Sequence, residues 1–267
     1  MPLPHAALAP STNLAQRVIF ITGASGRLGR EIALACARSG ATVILHGRVV
    51  RKLESLYDEI VAAGHAQPTI LPLDLITARA EDFDRVAASV RGQLGRLDAL
   101  VHTAALLGSL GPMEHQPLEA WQKVFAVNVV AAAALTRASM PLLAAAPDAS
   151  IVFTLDTRGQ SPRAYWGAYA ASKAALAALA TTLADECERR DNVRVNAVVP
   201  GPMRSPLRMQ SHPGEDRATL PDPASIAPLY VQLIGTQRKA ESAIAIDAQA
   251  WLRQEPAATS LLPRSDS

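Results

Sequence analysis

The chain has 267 residues, of which 49% are apolar and 19% charged, and its formal net charge is +2. These proportions allow a large buried core, and α/β proteins of this length often form one domain. The scattered Lys and Arg residues argue against a nucleic-acid partner, the two isolated cysteines against a disulfide framework or a metal site, and the short apolar runs against a membrane span. We therefore predict a cytoplasmic protein with no nucleic-acid, membrane or metal partner.

Residues 1–16 have neither a basic start nor an unbroken apolar stretch, so we predict a short N-terminal arm rather than a secretory signal. From residue 17 to about residue 246, short β-branched runs alternate with longer helical patterns. The predicted strands are Arg17–Thr22, Ala41–His46, Thr69–Leu73, Leu97–His102, Ser150–Thr154, Val193–Val198 and Ser242–Ile246. The predicted helices include Gly29–Arg38, Leu53–Ala62, Leu118–Leu143 and Tyr169–Arg190.

Continuously apolar strands separated by helices are typical of a parallel sheet that is covered on both faces. Because such crossovers are right-handed, we predict the α/β class: a single-domain, doubly wound (Rossmann-type) parallel sheet of seven strands with helices on both faces. This domain is expected to span residues 17–250. Residues 200–228 contain seven prolines and are expected to form a flap near the site. Residues 251–267 are expected to form a loose C-terminal tail.

A glycine-rich turn, Thr22–Gly29 (TGASGRLG), joins the first predicted strand to the first predicted helix. Glycines at this point allow backbone N–H groups and a helix N-terminus to approach a pyrophosphate closely. The alternative is a purely structural turn. The position of the glycine-rich turn, after a first strand and before an amphipathic helix, favours nucleotide binding.

The end of the second strand indicates which dinucleotide binds. An NAD-binding protein usually has an acidic residue there, which bonds the ribose 2′-OH, but this chain reads His46-Gly47-Arg48 and has no acid before Glu54. Arg48 can form charge-assisted bonds to a 2′-phosphate, and Arg27 could add a second positive group. The alternative is that both arginines are ordinary solvated residues. The pattern favours NADP(H).

Tyr169 and Lys173 lie four residues apart on a predicted helix, so their side chains project from the same face. A free phenol has a pKa near ~10 and is a poor acid or base at neutral pH. A cation beside it stabilises the phenolate and lowers that pKa, which suits a proton donor to a carbonyl. A Tyr-x-x-x-Lys spacing alone is common, so its value as evidence for catalysis depends on the surrounding motifs.

The glycine-rich turn, the Tyr/Lys pair and the order of the elements together resemble the one-domain short-chain dehydrogenases/reductases over roughly residues 15–250. The segments Trp166–Lys173, Leu106–Gly108 and Ile246–Gln249 are similar to the bacterial YciK-type branch of that family. The resemblance implies that Asp74 and Leu75 contact the adenine, that Asn128 helps to hold a water for proton relay, and that Pro200 and Gly201 form a loop over the nicotinamide. We therefore expect NADP(H) to contact Gly23, Ser25, Arg27, Leu28, Gly29, Arg48, Asp74, Leu75, Ala104, Tyr169, Lys173, Pro200 and Gly201, and catalysis to involve Tyr169, Lys173, Asn128 and Asp156.

Three positions depart from the family pattern. Thr103-Ala104-Ala105 replaces the usual Asn-Ala-Gly after the fourth strand, and the glycine spacing, with Arg27 at the middle position, resembles that of the larger, extended relatives. Asp156 stands thirteen residues before Tyr169, where the family has a serine that orients the substrate. An ionised carboxylate only accepts hydrogen bonds, so it cannot replace a hydroxyl donor. Thr154 or Thr157 could supply a hydroxyl instead, and Asp156 could also pair with Lys173.

Three functional hypotheses follow. The first is an NADP(H)-dependent oxidoreductase that interconverts a carbonyl and an alcohol, with Tyr169 as proton donor or acceptor and Lys173 lowering its pKa. The second is an NADP(H)-binding protein with little or no turnover, because Asp156 replaces the serine. The third is a related lyase or epimerase. The substrate is a small molecule in the first case, and the resemblance implies a homodimer or homotetramer.

Overall fold

The computed structural model describes residues 12–235 and 242–261, and its described part is built around one twisted sheet. The strands are β1 (Val18–Thr22), β2 (Thr42–Gly47), β3 (Thr69–Pro72), β4 (Ala99–His102), β5 (Ala149–Thr154), β6 (Val193–Val199), β7 (Ile244–Asp247) and β8 (Ala258–Ser260). Their order in the sheet is β3-β2-β1-β4-β5-β6-β7-β8. The first seven are parallel to their neighbours, and β8 is antiparallel to β7.

Helices cover both faces of this sheet. They are α1 (Arg27–Arg38), α2 (Val50–Ala62), α3 (Ala80–Leu94), α4 (Leu118–Phe125), α5 (Ala131–Ala145), α6 (Thr157–Gln160), α7 (Gly167–Glu186), α8 (Pro206–Ser211), α9 (Ala227–Gly235) and α10 (Ala248–Leu252). One apolar core lies between the sheet and α1, α2 and α9. The second lies between the opposite face and α3, α5 and α7. These two cores confirm the predicted doubly wound α/β class.

The central strands show why the sequence forms this sheet. Every residue of β5 and of β6 is buried. A strand that packs against helices on both of its faces has no side for solvent, so most of its residues are apolar. The buried polar residues of β6, Arg194 and Asn196, have hydrogen-bond partners. Burial of this apolar surface is the main favourable contribution to folding.

The strand count differs from the prediction, because the sheet has eight strands and not seven. The additional strand, β8, comes from the segment predicted to be a loose tail. All three of its side chains are exposed, so it has no apolar alternation that a sequence pattern could show. Backbone pairing of β8 with β7 holds it at the edge of the sheet. Residues 262–267 of the predicted tail lie outside the described residues.

The predicted N-terminal arm, residues 1–16, is described only from residue 12 onward. In that part, Leu14 is fully buried in the core around α1 and α9, and its N–H donates to the carbonyl of Ser39 (2.8 Å). These last residues of the arm therefore pack against the domain.

The predicted helix 118–143 is one continuous helical segment, Leu118–Ala145, with a wider π-type turn at Ala126–Val130 between α4 and α5. By length and composition alone this segment is apolar enough to cross a membrane, and 44% of its most apolar 18-residue stretch is buried inside the protein. Its α5 portion contributes Leu135, Leu142 and Leu143 to the second core. The same length and composition occur in buried helices of a globular core.

Candidate active site

A cleft of about 500 Å³ opens at the carboxyl ends of the parallel strands. It lies where the sheet order reverses between β1 and β4, which is the usual ligand position in doubly wound folds. The loops after β1 to β6 all contribute to its lining. Of the predicted site residues, the cleft is lined by Gly23, Ser25, Arg27, Leu28, Gly29, Arg48, Asp74, Leu75, Ala104, Asp156, Tyr169, Lys173, Pro200 and Gly201. Asn128 lies behind this lining.

The glycine-rich turn presents free backbone donors to one end of the cleft. Helix α1 starts after Gly26, no side chain caps it, and its first turn contains no acidic residue. Gly23 has a φ of 69°, and a Cβ at this position would lie 2.9 Å from the backbone N of Ala104. Because the first N–H groups of a helix have no intrahelical partner, this end of the cleft suits a phosphate group.

Thr103, which replaces the family's asparagine, fastens β4 to β1. Its hydroxyl donates to the carbonyl of Thr22, and its N–H donates to the Thr22 hydroxyl (3.0 Å). The N–H of Ala104 also reaches the Thr22 hydroxyl (3.2 Å). This departure from the family pattern therefore keeps the two loops in place beside the cleft.

Arg48 and Arg27 both line the cleft, but their surroundings differ. Arg48 follows β2 and is exposed. Arg27 forms an ion pair with Asp222 (3.4 Å), whose carboxylate is also 3.7 Å from Arg204. Arg27 is therefore linked to the proline-rich flap, and Arg48 is the cation more available for a ligand at this end.

The ends of β2 and β3 form the outer wall of this half of the cleft. Asp74 is exposed and its Oδ1 accepts a hydrogen bond from the N–H of Ile76 (3.0 Å), whereas Leu75 is buried. His46 is also buried, and burial lowers its pKa to about 4. Neither of its ring nitrogens has a hydrogen-bond partner within the described part of the chain. The ring is therefore neutral, and it packs 5.6 Å from that of Phe20.

At the other end of the cleft, the Tyr169 hydroxyl donates to Oδ2 of Asp156 (2.9 Å). Asp156 follows β5, and its Oδ1 accepts from the N–H of Arg158 (2.8 Å), so this carboxylate caps α6. Burial raises the pKa of Tyr169 well above its usual value, and the charge and hydrogen bond of Asp156 raise it further.

The two threonines considered as substitute donors are engaged elsewhere. The Thr154 hydroxyl is 3.0 Å from the hydroxyl of Tyr230, and the Thr157 hydroxyl is 3.5 Å from Asp156. Asp156 is therefore the group that meets the tyrosine hydroxyl.

Lys173 is buried on the same helix face as Tyr169, with its Nζ 5.9 Å from the centre of the tyrosine ring. Nζ donates to the carbonyl of Thr154 (2.9 Å) rather than to Asp156. Burial lowers the pKa of Lys173 to about 8, and the Asp156 carboxylate partly opposes this. The net shift of the Tyr169 pKa is upward because burial and Asp156 raise it, and the expected lowering of that pKa by Lys173 stays a prediction.

Asn128 lies in the π-type turn and connects two elements. Its side-chain oxygen accepts from the N–H of Leu106 (2.7 Å), and its amide nitrogen donates to the Leu106 carbonyl (3.0 Å) and to the Ser172 hydroxyl (2.9 Å). The Ser172 hydroxyl in turn donates to the Tyr169 carbonyl (2.7 Å). These contacts make Asn128 a positioning residue for the loop after β4 and for α7.

Gln249 holds the loop that contains Pro200 and Gly201. Its side-chain amide donates to the carbonyls of Pro200 (2.7 Å) and Pro202 (3.2 Å). Gly201 has a φ of 70°, and a Cβ there would lie 2.5 Å from Cγ of Gln249. In the sequence, Gln249 belongs to a segment that only resembles a family motif, and the structure adds its contacts with the loop at Pro200–Pro202.

Among the lining residues that sequence reasoning missed are Arg158 and Trp166. The Arg158 guanidinium carbon lies 4.7 Å from the centre of the Trp166 ring, and that ring is 5.8 Å from the ring of Tyr169. The available signal was a basic residue directly after β5, two positions beyond Asp156. From the flap, the apolar side chains of Met203 and Leu207 line the cleft.

Comparisons with known proteins agree with this architecture. A family model of short chain dehydrogenases matches residues 17–216. The chain is 42% identical over 236 residues to YciK, an uncharacterised oxidoreductase of Escherichia coli strain K12, and the match covers 88% of this chain and 93% of YciK.

Two similar solved structures contain a dinucleotide. A short chain dehydrogenase from Shigella flexneri 2a, complexed with NADP, has a TM-score of 0.85 and 41% identity, and the alignment covers 90% of this chain and 99% of that one. A short chain dehydrogenase from Escherichia coli CFT073, complexed with NADPH, has a TM-score of 0.86 and 41% identity over 90% and 100% of the two chains. The chain described above therefore belongs to the short-chain dehydrogenase family of oxidoreductases.

Proposed function

We propose that this protein is an NADP(H)-dependent oxidoreductase that interconverts a carbonyl and an alcohol of a small molecule. The observation that carries the proposal is a single cleft with an uncapped helix N-terminus at one end and the Tyr169 hydroxyl at the other. The first suits a dinucleotide phosphate, and the second suits proton transfer to a substrate oxygen.

The choice of NADP(H) rests on Arg48. This exposed guanidinium lines the cleft at the end of β2, where an acid would favour NAD. The fit is supported by the amide donors of α1 and by the similar structures that hold NADP or NADPH. A family member of this kind takes its hydride chemistry from the bound nicotinamide.

The residues of the chain would handle the proton. Tyr169 delivers its phenolic proton to the substrate oxygen during reduction and takes it back during oxidation. Lys173, fixed by the Thr154 carbonyl, keeps a positive charge next to the ring. Asp156 competes with the substrate oxygen for the same proton, since the hydroxyl already donates to its carboxylate. Turnover of simple ketones is therefore expected to be slow.

The Tyr169–Asp156 hydrogen bond also favours the second candidate function, a protein that binds NADP(H) with little turnover. The two candidates are tested by following NADPH consumption over a panel of ketones and quinones for the wild type, Asp156→Ser and Asp156→Asn. Replacing the carboxylate by a hydroxyl supplies a donor to the developing alkoxide, and loss of one such donor costs ~2.7–4 kcal/mol. We expect Asp156→Ser to raise turnover about tenfold or more.

Asp156→Asn removes the charge at nearly constant side-chain volume. It therefore distinguishes the effect of the negative charge on turnover from the effect of the missing hydroxyl. If NADPH binds to all three proteins and none consumes it, the binding function is correct and the enzymatic one is wrong. A wild type as fast as ordinary reductases, and slowed by serine, shows that Asp156 is itself a working catalytic group.

We further infer that residues 17–250 fold as one domain in the cytoplasm and associate as a homodimer or homotetramer. Support for association comes from the apolar side chains exposed along the Leu118–Ala145 segment, where Leu118 and Val130 are 68% and 58% exposed. Light scattering coupled to size-exclusion chromatography measures the assembly directly, and a monomer at micromolar concentration contradicts this inference.

A further inference from the structure

Four arginines line the cleft, and they differ in whether an acidic side chain is paired with them. Arg27 pairs with Asp222, and Arg208 forms two hydrogen bonds with the carboxylate of Glu215 (2.6 and 2.5 Å). Within the described ranges, no ion pair involves Arg48 or Arg158. Arg48 lies at the end assigned to the dinucleotide, which leaves Arg158 as a cation at the substrate end without a carboxylate.

The contacts of Arg158 show that it lies at the substrate end of the cleft. It follows Asp156 by two residues, and its guanidinium carbon lies 4.7 Å from the centre of the Trp166 ring, which is 5.8 Å from the ring of Tyr169. Its backbone N–H, not its guanidinium, is bonded to the Asp156 carboxylate. The guanidinium lies over the face of the Trp166 ring, and none of its N–H groups has a hydrogen-bond partner within the described residues.

Because the Arg158 guanidinium is partly buried, its positive charge is destabilising unless an anionic group lies beside it. Arg158 is only partly exposed in the cleft wall. Desolvating a cation costs free energy unless hydrogen bonds or an opposite charge offset it. The nearby His212 is neutral or cationic and cannot supply negative charge; burial and then the charge of Arg208 lower its pKa, with Arg158 adding to the effect and Glu215 opposing it. The carboxylate of Asp156 is bonded to the Tyr169 hydroxyl and that of Glu215 to Arg208, so a ligand is the remaining source of negative charge for the Arg158 guanidinium.

We propose that Arg158 determines substrate specificity by binding a carboxylate or phosphate group on the substrate, so that the physiological substrate is an anionic carbonyl compound or the corresponding alcohol. The proposal rests on the proposed function and names the substrate class for the same cleft. A guanidinium matches either anion with two parallel hydrogen bonds. Because the Trp166 ring contacts both the Arg158 guanidinium and the Tyr169 ring, an anion bound to Arg158 would lie near the carbon that reacts beside Tyr169.

The activity test uses oxo acids and their neutral esters, with NADPH consumption as the readout. Benzoylformate, 3-benzoylpropanoate and 4-benzoylbutanoate place the carboxylate at increasing distance from the ketone, and each has a methyl ester as control. Dihydroxyacetone phosphate against dihydroxyacetone tests phosphate in the same way. We expect kcat/KM to favour at least one anion over its neutral partner about tenfold in the wild type. Arg158→Gln should abolish that preference, and Arg158→Lys should keep part of it.

Arg163→Gln is the matched control variant. Arg163 is an exposed residue of the same loop, so the variant has the same change of charge, but Arg163 does not line the cleft. Its preference for anions should equal that of the wild type. Equal loss of preference in Arg163→Gln would show a general effect of net charge and would overturn the proposal.

Calorimetric titration of the protein saturated with NADP⁺, which cannot reduce a ketone, provides a readout that needs no turnover. The preferred oxo acid should bind the wild type about tenfold more tightly than its ester, and Arg158→Gln should bind both equally. If esters are reduced as fast as acids, the substrate class is wrong while the oxidoreductase function stands. If nothing is reduced but the acid still binds through Arg158, the function is wrong and the anion site is correct. Equal binding of acid and ester overturns the site.

Discussion

The two ends of the cleft are built by different parts of the chain. At the dinucleotide end, the contacts come mainly from the backbone: the amides at the start of α1 and the close approach of Gly23 to Ala104. At the substrate end they come from side chains, namely Tyr169, Asp156 and the stacked Arg158. Backbone geometry is set by the fold, whereas each side-chain contact can be lost through one substitution. The dinucleotide end is therefore expected to be shared across the family, and the substrate end to differ between its members.

This contrast predicts that substitutions at the substrate end change turnover and leave dinucleotide affinity intact. The largest effect is expected for Tyr169→Phe, which removes the proton donor and keeps the packing of the ring. Turnover on any accepted carbonyl should fall about 100-fold or more, the usual contribution of a general acid. Steady-state NADPH consumption measures the rate, and fluorescence titration measures NADPH affinity, which should stay the same.

Tyr165→Phe is the matched control, because it removes the same atom from a tyrosine that is 62% exposed and outside the cleft lining. It should behave as the wild type. Full activity of Tyr169→Phe would show that another group moves the proton.

At the dinucleotide end, the proposed contact with the 2′-phosphate depends on one side chain, that of Arg48. A substitution of Arg48 should therefore change dinucleotide binding, unlike substitutions at the substrate end. We expect NADPH to bind at least tenfold more tightly than NADH, a difference of ~1.4 kcal/mol. Arg48→Asp should erase this preference, because a carboxylate repels the 2′-phosphate. Arg51→Asp, with the same change of charge on an exposed residue that does not line the cleft, should keep it. A wild type that prefers NADH contradicts the assignment of the cofactor.

Acid should weaken the fold beneath the dinucleotide end. The folded state holds His46 neutral with a pKa of about 4, against 6.5 for the free side chain. The unfolded chain therefore binds a proton that the folded chain rejects, and stability falls as the pH drops from about 6.5 to about 4. The expected slope is about 1.4 kcal/mol for each pH unit from this residue.

Urea denaturation across that range compares the wild type with His46→Leu, in which this contribution is absent. His102, buried with a pKa lowered to about 3, contributes in the same direction in both proteins. Identical slopes for the two proteins would mean that His46 is protonated equally in both states.

The smallest effect is expected at Gln249, which acts on the cleft through the loop at Pro200–Pro202. Gln249→Ala removes two hydrogen bonds to that loop, each with a net contribution of about 0.5–1.5 kcal/mol. NADPH affinity should fall about fivefold, roughly 1 kcal/mol. Fluorescence titration detects this change. An unchanged affinity would mean that the loop is held by its own backbone.

The sequence predicted the parallel strands well because burial on both faces leaves short, largely apolar runs, as in β1 and β5. Strand β8 gave no such signal, since only its backbone is paired. For the site, chain order was sufficient to bring the glycine-rich turn, Arg48 and Tyr169 to one cleft. The Tyr169–Asp156 hydrogen bond, the Arg27–Asp222 pair and the stacking of Arg158 on Trp166 depend on rotamers, which spacing along the chain does not determine.

The π-type turn at Ala126–Val130 takes up one extra residue in the helical segment. A π-type turn holds one residue more than an α-helical turn, and each residue of an α-helix advances the helix by about 100°. Deletion of one residue within this turn would therefore let the segment close as a regular α-helix with Trp121 still beside Gly167, whereas deletion of one residue within a regular α-helical turn would rotate the two sides by that angle. Homologues that are one residue shorter at this turn are expected to keep the α4–α7 contact and to differ at the Asn128 position.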